Sequence, residues 1–270
     1  MQVFSREADS GVEMVLECAE KTDRGKVRRH NEDSILTRED LGLFIVADGL
    51  GGHAAGEVAS KIVVDQIERC ISDTAGQKAA LGKPEPGLSP NGQRLKNAIL
   101  QSDRAITDDI ELHPERETMG STVVACLIEG KNVTLAHVGD SRAYWLGQDE
   151  KRQPIMRQLT KDHSWVADQV ESGNMTAAQA KSHPFRNVIT QALGNGTELE
   201  VSIQEFEMSD GDALLLCSDG LTGMVPDEQI LQIYIQAPNL QGAVDGLVSK
   251  AIDNGGEDNV SVVLIKHCHS

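Results

Sequence analysis

The residue pattern predicts an α+β protein, built from mainly antiparallel sheets with the helices outside them. Three observations lead there. Short apolar runs follow one another at hairpin spacing, as in TVVACLI, NVTLAHV and RAYWL over residues 122–146. Few of these runs are separated by the helix that a parallel βαβ crossover needs. The helical stretches carry a single apolar stripe, so each buries one face and leaves the other in water.

The elements follow in chain order. VEMVLECAE, from Val12, alternates apolar and polar residues as a half-buried strand does. LFIVA (43–47) is a continuous apolar run, the mark of a strand covered on both faces. Residues 54–71 read as a helix with Val58, Ile62, Val63, Ile67 and Ile71 on one stripe. Residues 74–92 hold three prolines among Gly and Lys and read as a solvated loop, and a second helix covers about 93–110. After the strands at 122–146, a helical region starts at Ser164, and Thr176 is the N-cap for the next turn. VSIQEFEM, ALLLCS and NVSVVLIKH are strands, while 226–235 and 240–252 are amphipathic helices.

Composition narrows the function. The chain has 270 residues, with 25 Lys and Arg against 42 Asp and Glu, for a net charge of −17. That sign argues against a phosphate-backbone binder and equally against a protein held on anionic lipid, both of which need clustered cations. Four Phe, two Trp and two Tyr are too few for base-stacking platforms, so the core must be aliphatic. No apolar run approaches the ~18–20 residues that cross a bilayer, and the polar start MQVFSREADSG does not read as a signal peptide. The cysteines (Cys18, Cys70, Cys126, Cys217, Cys268) are odd in number, far apart and without a C-x-x-C. Reduced thiols and a cytoplasmic location are expected.

LFIVADGLGG and LLLCSDGLTG both read as an apolar strand, a small residue, then D-G-L-x-G. Strand TLAHV ends in G-D-S, and the final strand begins just after Asp258. Asp48, Asp140, Asp219 and Asp258 therefore all sit at strand ends. A single D-G after a strand is only a turn signal, because Gly tolerates positive φ and Asp bonds its own backbone. Four such acids meeting at one sheet edge would repel each other and raise each other's pKa. They stay ionised only if cations neutralise them. Oxygen-only ligation suits Mg²⁺ or Mn²⁺, and two ions ~3.5–4 Å apart can activate water and clamp a phosphoryl group. Upstream, TDRGKVRRHNED sets Arg24, Arg28 and Arg29 just before Glu32 and Asp33, and an Arg fork suits a phosphate.

Eight segments carry a family resemblance: TDRGKVRRHNEDS, VADGLGGHAAGEVAS, MGSTVV, AHVGDSRAYW, LTKDHSWV, NVITQALG, LLCSDGLTGMV and GGEDNVSVVLI. In this order, over about 22–265, they resemble the metal-dependent Ser/Thr protein phosphatases of the PPM/PP2C type in their bacterial form. Leu50 stands where the bacterial motif more often has Met. The resemblance implies a β-sandwich of two mainly antiparallel sheets flanked by helix pairs. It implies one domain over 12–267 with a flap at about 162–187, after a short extension, 1–11. It implies hydrolysis of phosphoserine and phosphothreonine in proteins by a metal-bridging hydroxide attacking phosphorus in line. Asp48 would bridge two ions, Mn²⁺ or Mg²⁺. The Gly49 carbonyl would join the second ion, and Asp219 and Asp258 would complete the first. Asp140 with Asp219 would hold a third, weaker ion, and Asp33 would act through metal-bound water. Arg28 would grip the phosphate, His183 would touch substrate, and His53 is the candidate acid for the leaving group. The expected partners are phosphoproteins made by a cognate Ser/Thr kinase, with no nucleic acid and no membrane, and the protein is expected to be a monomer.

Competing motifs are weaker. Cys18 and Arg24 have the C-x5-R spacing of cysteine-dependent phosphatases, but the intervening AEKTD lacks Gly and carries two acids. Gly49-x-Gly51-x-x-Ala54 imitates a dinucleotide fingerprint with Asp48 facing the pyrophosphate. Gly139-Asp140-Ser141 imitates an esterase nucleophile block that needs a His base. His267-Cys268-His269 is a chelator pattern near a chain end. A phosphatase-like fold can also serve only for binding, but such a chain has usually lost a metal Asp or the phosphate Arg.

Overall fold

The computed structural model describes residues 14–51, 55–75, 85–196 and 198–269. His53, residues 1–11 and part of the predicted 74–92 loop lie outside the described residues. In chain order come strands β1 (Met14–Asp23), β2 (Asp33–Arg38) and β3 (Leu43–Leu50), then helices α1 (Ala55–Asp73) and α2 (Pro90–Leu112). A single 3-10 turn (Pro114–Arg116) leads to β4 (Gly120–Ser121), β5 (Val123–Glu129), β6 (Asn132–Val138), β7 (Arg142–Gln148) and β8 (Pro154–Gln158). Helices α3 (Trp165–Glu171) and α4 (Ala177–Lys181) precede β9 (Ser202–Glu207) and β10 (Ala213–Cys217). Helices α5 (Asp219–Thr222), α6 (Asp227–Gln236) and α7 (Leu240–Asp253) and strand β11 (Val260–His269) complete the set.

One sheet has the order β1-β11-β10-β7-β8; the other has β2-β3-β5-β6-β9, with β4 pairing β3. Every strand pairing within the two sheets is antiparallel. Strand alternation builds three apolar layers. Leu43, Ile45 and Ala47 of β3 pack under α1 and α2, while Phe44 and Val46 face the other sheet. Leu214 and Leu216 of β10 and Val263 and Ile265 of β11 meet them between the sheets. Leu215 and Cys217 turn outward, under residues of α6 and α7. The continuous apolar runs in the sequence have this cause: both faces of the central strands are covered. The result is the expected sandwich of two sheets with helices outside.

Several boundaries differ from expectation. The second helix starts three residues before the predicted 93, because Pro90 occupies its first turn and Ser89 caps it, accepting from the Gly92 N–H at 3.1 Å. Strands β2 and β8 were not expected. Both are sheet edges, and DSILTR and PIMRQ show no sustained apolar alternation. Thr176 caps α4 in a full capping box with Gln179. Among the described residues, no helix is long and apolar enough to cross a membrane.

Candidate active site

Register brings the acids together. In the β2–β3 pairing, Asp33 lies directly opposite Asp48. Across the sandwich, β10 and β11 pair with Cys217 opposite Val262, which puts Asp219, just past β10, beside Asp258, just before β11. Asp140 sits in the short link between β6 and β7.

Backbone fit holds these positions. A Cβ on Gly220 would come 1.9 Å from the Asn259 carbonyl oxygen, so only glycine lets the Asp219 turn approach the Asp258 segment this closely. A Cβ on Gly49 would lie 2.1 Å from the Gly56 oxygen and 2.5 Å from that of Glu32. The Thr122 N–H donates to the Asp48 carbonyl at 2.8 Å, and the Asp48 N–H donates to Thr122 Oγ1 at 3.2 Å. Thr122 Oγ1 is also 2.7 Å from Ser141 Oγ, which ties Asp48 to the Asp140 link. Ser218 Oγ donates to Asp33 Oδ2 at 2.8 Å and accepts the Ser261 N–H at 3.0 Å, bridging the two sheets. Asn259 clamps the loop before β2. Its Nδ2 donates to the carbonyls of Arg24 and His30, both at 2.9 Å, and its Oδ1 accepts the Glu32 N–H at 2.7 Å. Arg28 Nη2 reaches Asp258 Oδ2 at 2.6 Å.

The electrostatics show one shared pocket. Asp48 is held well above the usual carboxylate range by burial first, then by Asp33, Asp219, Asp140 and Asp258. Asp33 is pushed up to about 7, chiefly by burial, with the Ser261 and Ser218 hydroxyls opposing and Asp219 and Asp258 adding. Asp140 rises to about 7 through burial, Asp219 and Asp162. Asp219 rises to about 6 through burial and Asp258; a hydrogen bond with Asp48, with Arg28 and Arg142, holds the rise in check. The pocket fits hard cations. All its side-chain donors are carboxylate oxygens, and Asp33 Oδ1 is buried with no hydrogen-bond partner among the described residues. Among the described residues, no three His, Cys, Asp or Glu side chains form a ready-made metal cage. The acids share a pocket and each other's field, not one closed coordination point.

The 162–187 segment is rooted beside Asp140. Ser164 bridges Ile189, the Trp165 N–H donates to the Val188 oxygen at 2.8 Å, and the His163 N–H donates to the Gly139 oxygen at 2.9 Å. Arg142 forks onto Asp162 at 2.8 and 2.6 Å. His137 stacks on His163 with ring centroids 4.7 Å apart. His137 Nε2–H donates to the Lys161 carbonyl at 2.8 Å. His163 Nδ1 accepts the Gly139 N–H at 3.2 Å, and Nε2 lies 3.2 Å from Ser202 Oγ. Burial first, then His137 and Lys161, pulls His163 down to about 4, and burial lowers His137 as well.

The structure thus gathers Asp33, Asp48, Asp140, Asp219, Asp258 and Arg28, with the Gly49 backbone among them. His183 is packed into an aromatic group of its own segment, 5.0 Å from the Trp165 ring and 5.5 Å from Phe185. His53 lies outside the described residues. Asn259, Ser218, Thr122 and Arg142 went unread in the sequence; their one signal is adjacency to an acid or to its motif. The competing motifs fare poorly. Burial first, then Glu39, pushes the Cys18 thiol up to about 12, against any thiolate role. Ser141 Oγ pairs with Thr122 and not with a histidine. All five cysteines are free.

A family model described as Protein phosphatase 2C matches residues 24–244. The chain is 40% identical over 253 residues to the serine/threonine protein phosphatase PstP of Mycobacterium tuberculosis, covering 94% of this chain but 45% of that relative. It is 36% identical to the serine/threonine phosphatase stp of Listeria innocua, covering 91% and 94%. Among solved structures, Mycobacterium tuberculosis PstP/Ppp superposes with a TM-score of 0.80 at 38% identity, covering 93% of this chain and 98% of that one. The PstP catalytic domain in complex with two manganese ions has a TM-score of 0.79 at 35% identity, covering 94% and 99%.

Proposed function

The chain belongs to the protein phosphatase 2C family, and from that premise we propose that it hydrolyses phosphoserine and phosphothreonine in proteins with the help of bound divalent cations. One observation carries the reading: Asp48 lies within the field of Asp33, Asp140, Asp219 and Asp258 at once. Its mycobacterial relatives bear the serine/threonine protein phosphatase name, and one catalytic-domain structure holds manganese. Two ions, Mn²⁺ or Mg²⁺, would be held by Asp48, the Gly49 carbonyl, Asp219 and Asp258. Asp140 with Asp219 would hold a third, weaker one, and Asp33 would act through water. Bound there, the ions would supply a water-derived nucleophile at neutral pH for in-line attack on phosphorus and would neutralise charge on the phosphoryl group.

The chain's own residues do the rest. Arg28 offers a guanidinium fork to the phosphate, leaving Asp258 as it does so. Asn259 and Ser218 keep Arg28, Asp33 and Asp258 in register. His53 is proposed to protonate the leaving oxygen, and His183, on a flap at 162–187, to contact substrate. The substrates would be phosphoproteins made by a cognate Ser/Thr kinase, and the phosphatase would work as a cytoplasmic monomer whose one domain spans 12–267. A phosphothreonine peptide tests the core claim. Turnover should need added Mn²⁺ or Mg²⁺ and vanish in excess EDTA; full turnover in EDTA overturns the mechanism.

A further inference from the structure

We propose that the 24–30 loop is a second binding subsite, one that reads carboxylate side chains flanking the phosphorylated residue of a substrate peptide. The inference rests on the reading that Arg28 grips the phosphate. Residues 24–30, RGKVRRH, carry four cations and no acid in a chain of net charge −17. Arg28 is engaged with Asp258 at the pocket. Arg24, Lys26 and Arg29 are exposed, and among the described residues their side chains form no ion pair. Some surface cations, such as Lys21, Lys61 and Lys131, are answered by Asp245, Asp65 and Glu207. Others, such as Arg104, Lys151 and Arg186, form no ion pair among the described residues, and what sets this loop apart is the clustering of such cations beside Arg28.

The loop is also built rigidly against the site. Asn259, next to Asp258, closes it at both ends through the Arg24 and His30 carbonyls. The Lys26 N–H donates to the Gly256 carbonyl at 2.8 Å. Gly25, at φ +77°, sits where a Cβ would fall 2.3 Å from the Asp258 oxygen. The loop backbone that carries these cations is therefore held in place beside Arg28, and Arg24 Nη1 donates to the Arg29 carbonyl at 3.3 Å. A fixed backbone lowers the entropy lost when a peptide binds there. Screening over roughly 8 Å at physiological salt weakens the repulsion of a docked peptide by the rest of the chain's negative charge, while the pocket acids beside the loop would be neutralised by their cations. Two exposed charge pairs correspond to about a three- to ten-fold effect on kcat/KM.

The test uses three phosphothreonine peptides of equal length, flanked by Glu, Gln or Lys, alongside p-nitrophenyl phosphate. Wild type should prefer the Glu-flanked peptide to the Gln-flanked one by about three- to ten-fold, less so in high salt. The Lys26→Gln, Arg29→Gln double variant should lose that preference and turn over p-nitrophenyl phosphate as wild type does. Lys26→Glu with Arg29→Glu should move the preference to the Lys-flanked peptide. Equal kcat/KM for the Glu and Gln peptides in wild type, or a Glu preference that survives in the double variant, overturns the subsite. Equal turnover of all three peptides leaves the phosphatase reading standing and removes only this inference. Turnover of none of them, nor of p-nitrophenyl phosphate, removes both.

Discussion

Two groups of buried ionisable side chains lie on either side of the Gly139–Asp140 link, and they meet burial in opposite ways. The His137–His163 pair is satisfied: its rings stack and bond to the Lys161 carbonyl, the Gly139 N–H and Ser202. Neutral imidazole is all these partners require. The Asp pocket is not satisfied. Among the described residues Asp33 Oδ1 has no hydrogen-bond partner, and Asp33, Asp219, Asp140 and Asp258 all raise the Asp48 pKa. Burial alone does not mark a functional centre; an unmet need for counter-charge does.

The sharpest way to break this contrast is Asp48→Asn. It should cut kcat/KM by on the order of 10³-fold, about 4 kcal/mol in the barrier, while far-UV circular dichroism and the metal-free melting temperature hold or improve. Activity near wild type would sink the pocket's role. Gly220→Ala comes next. Its methyl overlaps the Asn259 carbonyl, so the fold should lose roughly 2–3 kcal/mol, read as a lower urea midpoint, together with affinity for Mn²⁺. His163→Ala belongs to the satisfied side. It should cost about 1–2 kcal/mol of stability through the orphaned Gly139 N–H and leave kcat/KM within a few-fold. A large loss of activity at unchanged stability would show that the two groups are not separable.

The last contrast is in pH, where the two groups have opposite signs. The folded-state pKa of His163 lies below its ordinary 6.5, at about 4. Its contribution is full above pH 6.5 and is lost as pH falls toward 4. The Asp140 value lies above its ordinary 3.8, at about 7. In chelator, the unfolded chain ionises first, so stability falls as pH rises from 4 to 7. Urea midpoints should therefore show Asp140→Asn gaining on wild type as pH rises. Wild type's advantage over His163→Gln should shrink as pH falls. Parallel profiles for the two variants would contradict the contrast.

The elements legible in the sequence were those with a one-dimensional signal. LFIVA announced a strand covered on both faces, and the apolar stripe of 54–71 announced α1. The D-G pairs ending LFIVA and LLLCS marked Asp48 and Asp219. The edge strands β2 and β8 were hidden, because an edge need not alternate apolar and polar residues. The links that make a pocket of separate acids were hidden for another reason. Ser218 and Asp33 are 185 residues apart, and Asn259 and Arg24 235 apart, so no local window contains both partners. Asp33, Arg28 and Gly49 were assigned through family likeness, and the structure brings them to the same place.

Strand β11 lies inside its sheet, between β1 and β10, although it is the last strand described along the chain. During translation, β1 therefore leaves the ribosome long before the strand that shields its edge, and Asp258 emerges just ahead of that strand. A nascent chain stopped before residue 258 has an open sheet and lacks one acid of the pocket. Activity at the pocket would thus wait until β11 has emerged and closed the sheet, and products arrested earlier would be prone to aggregate.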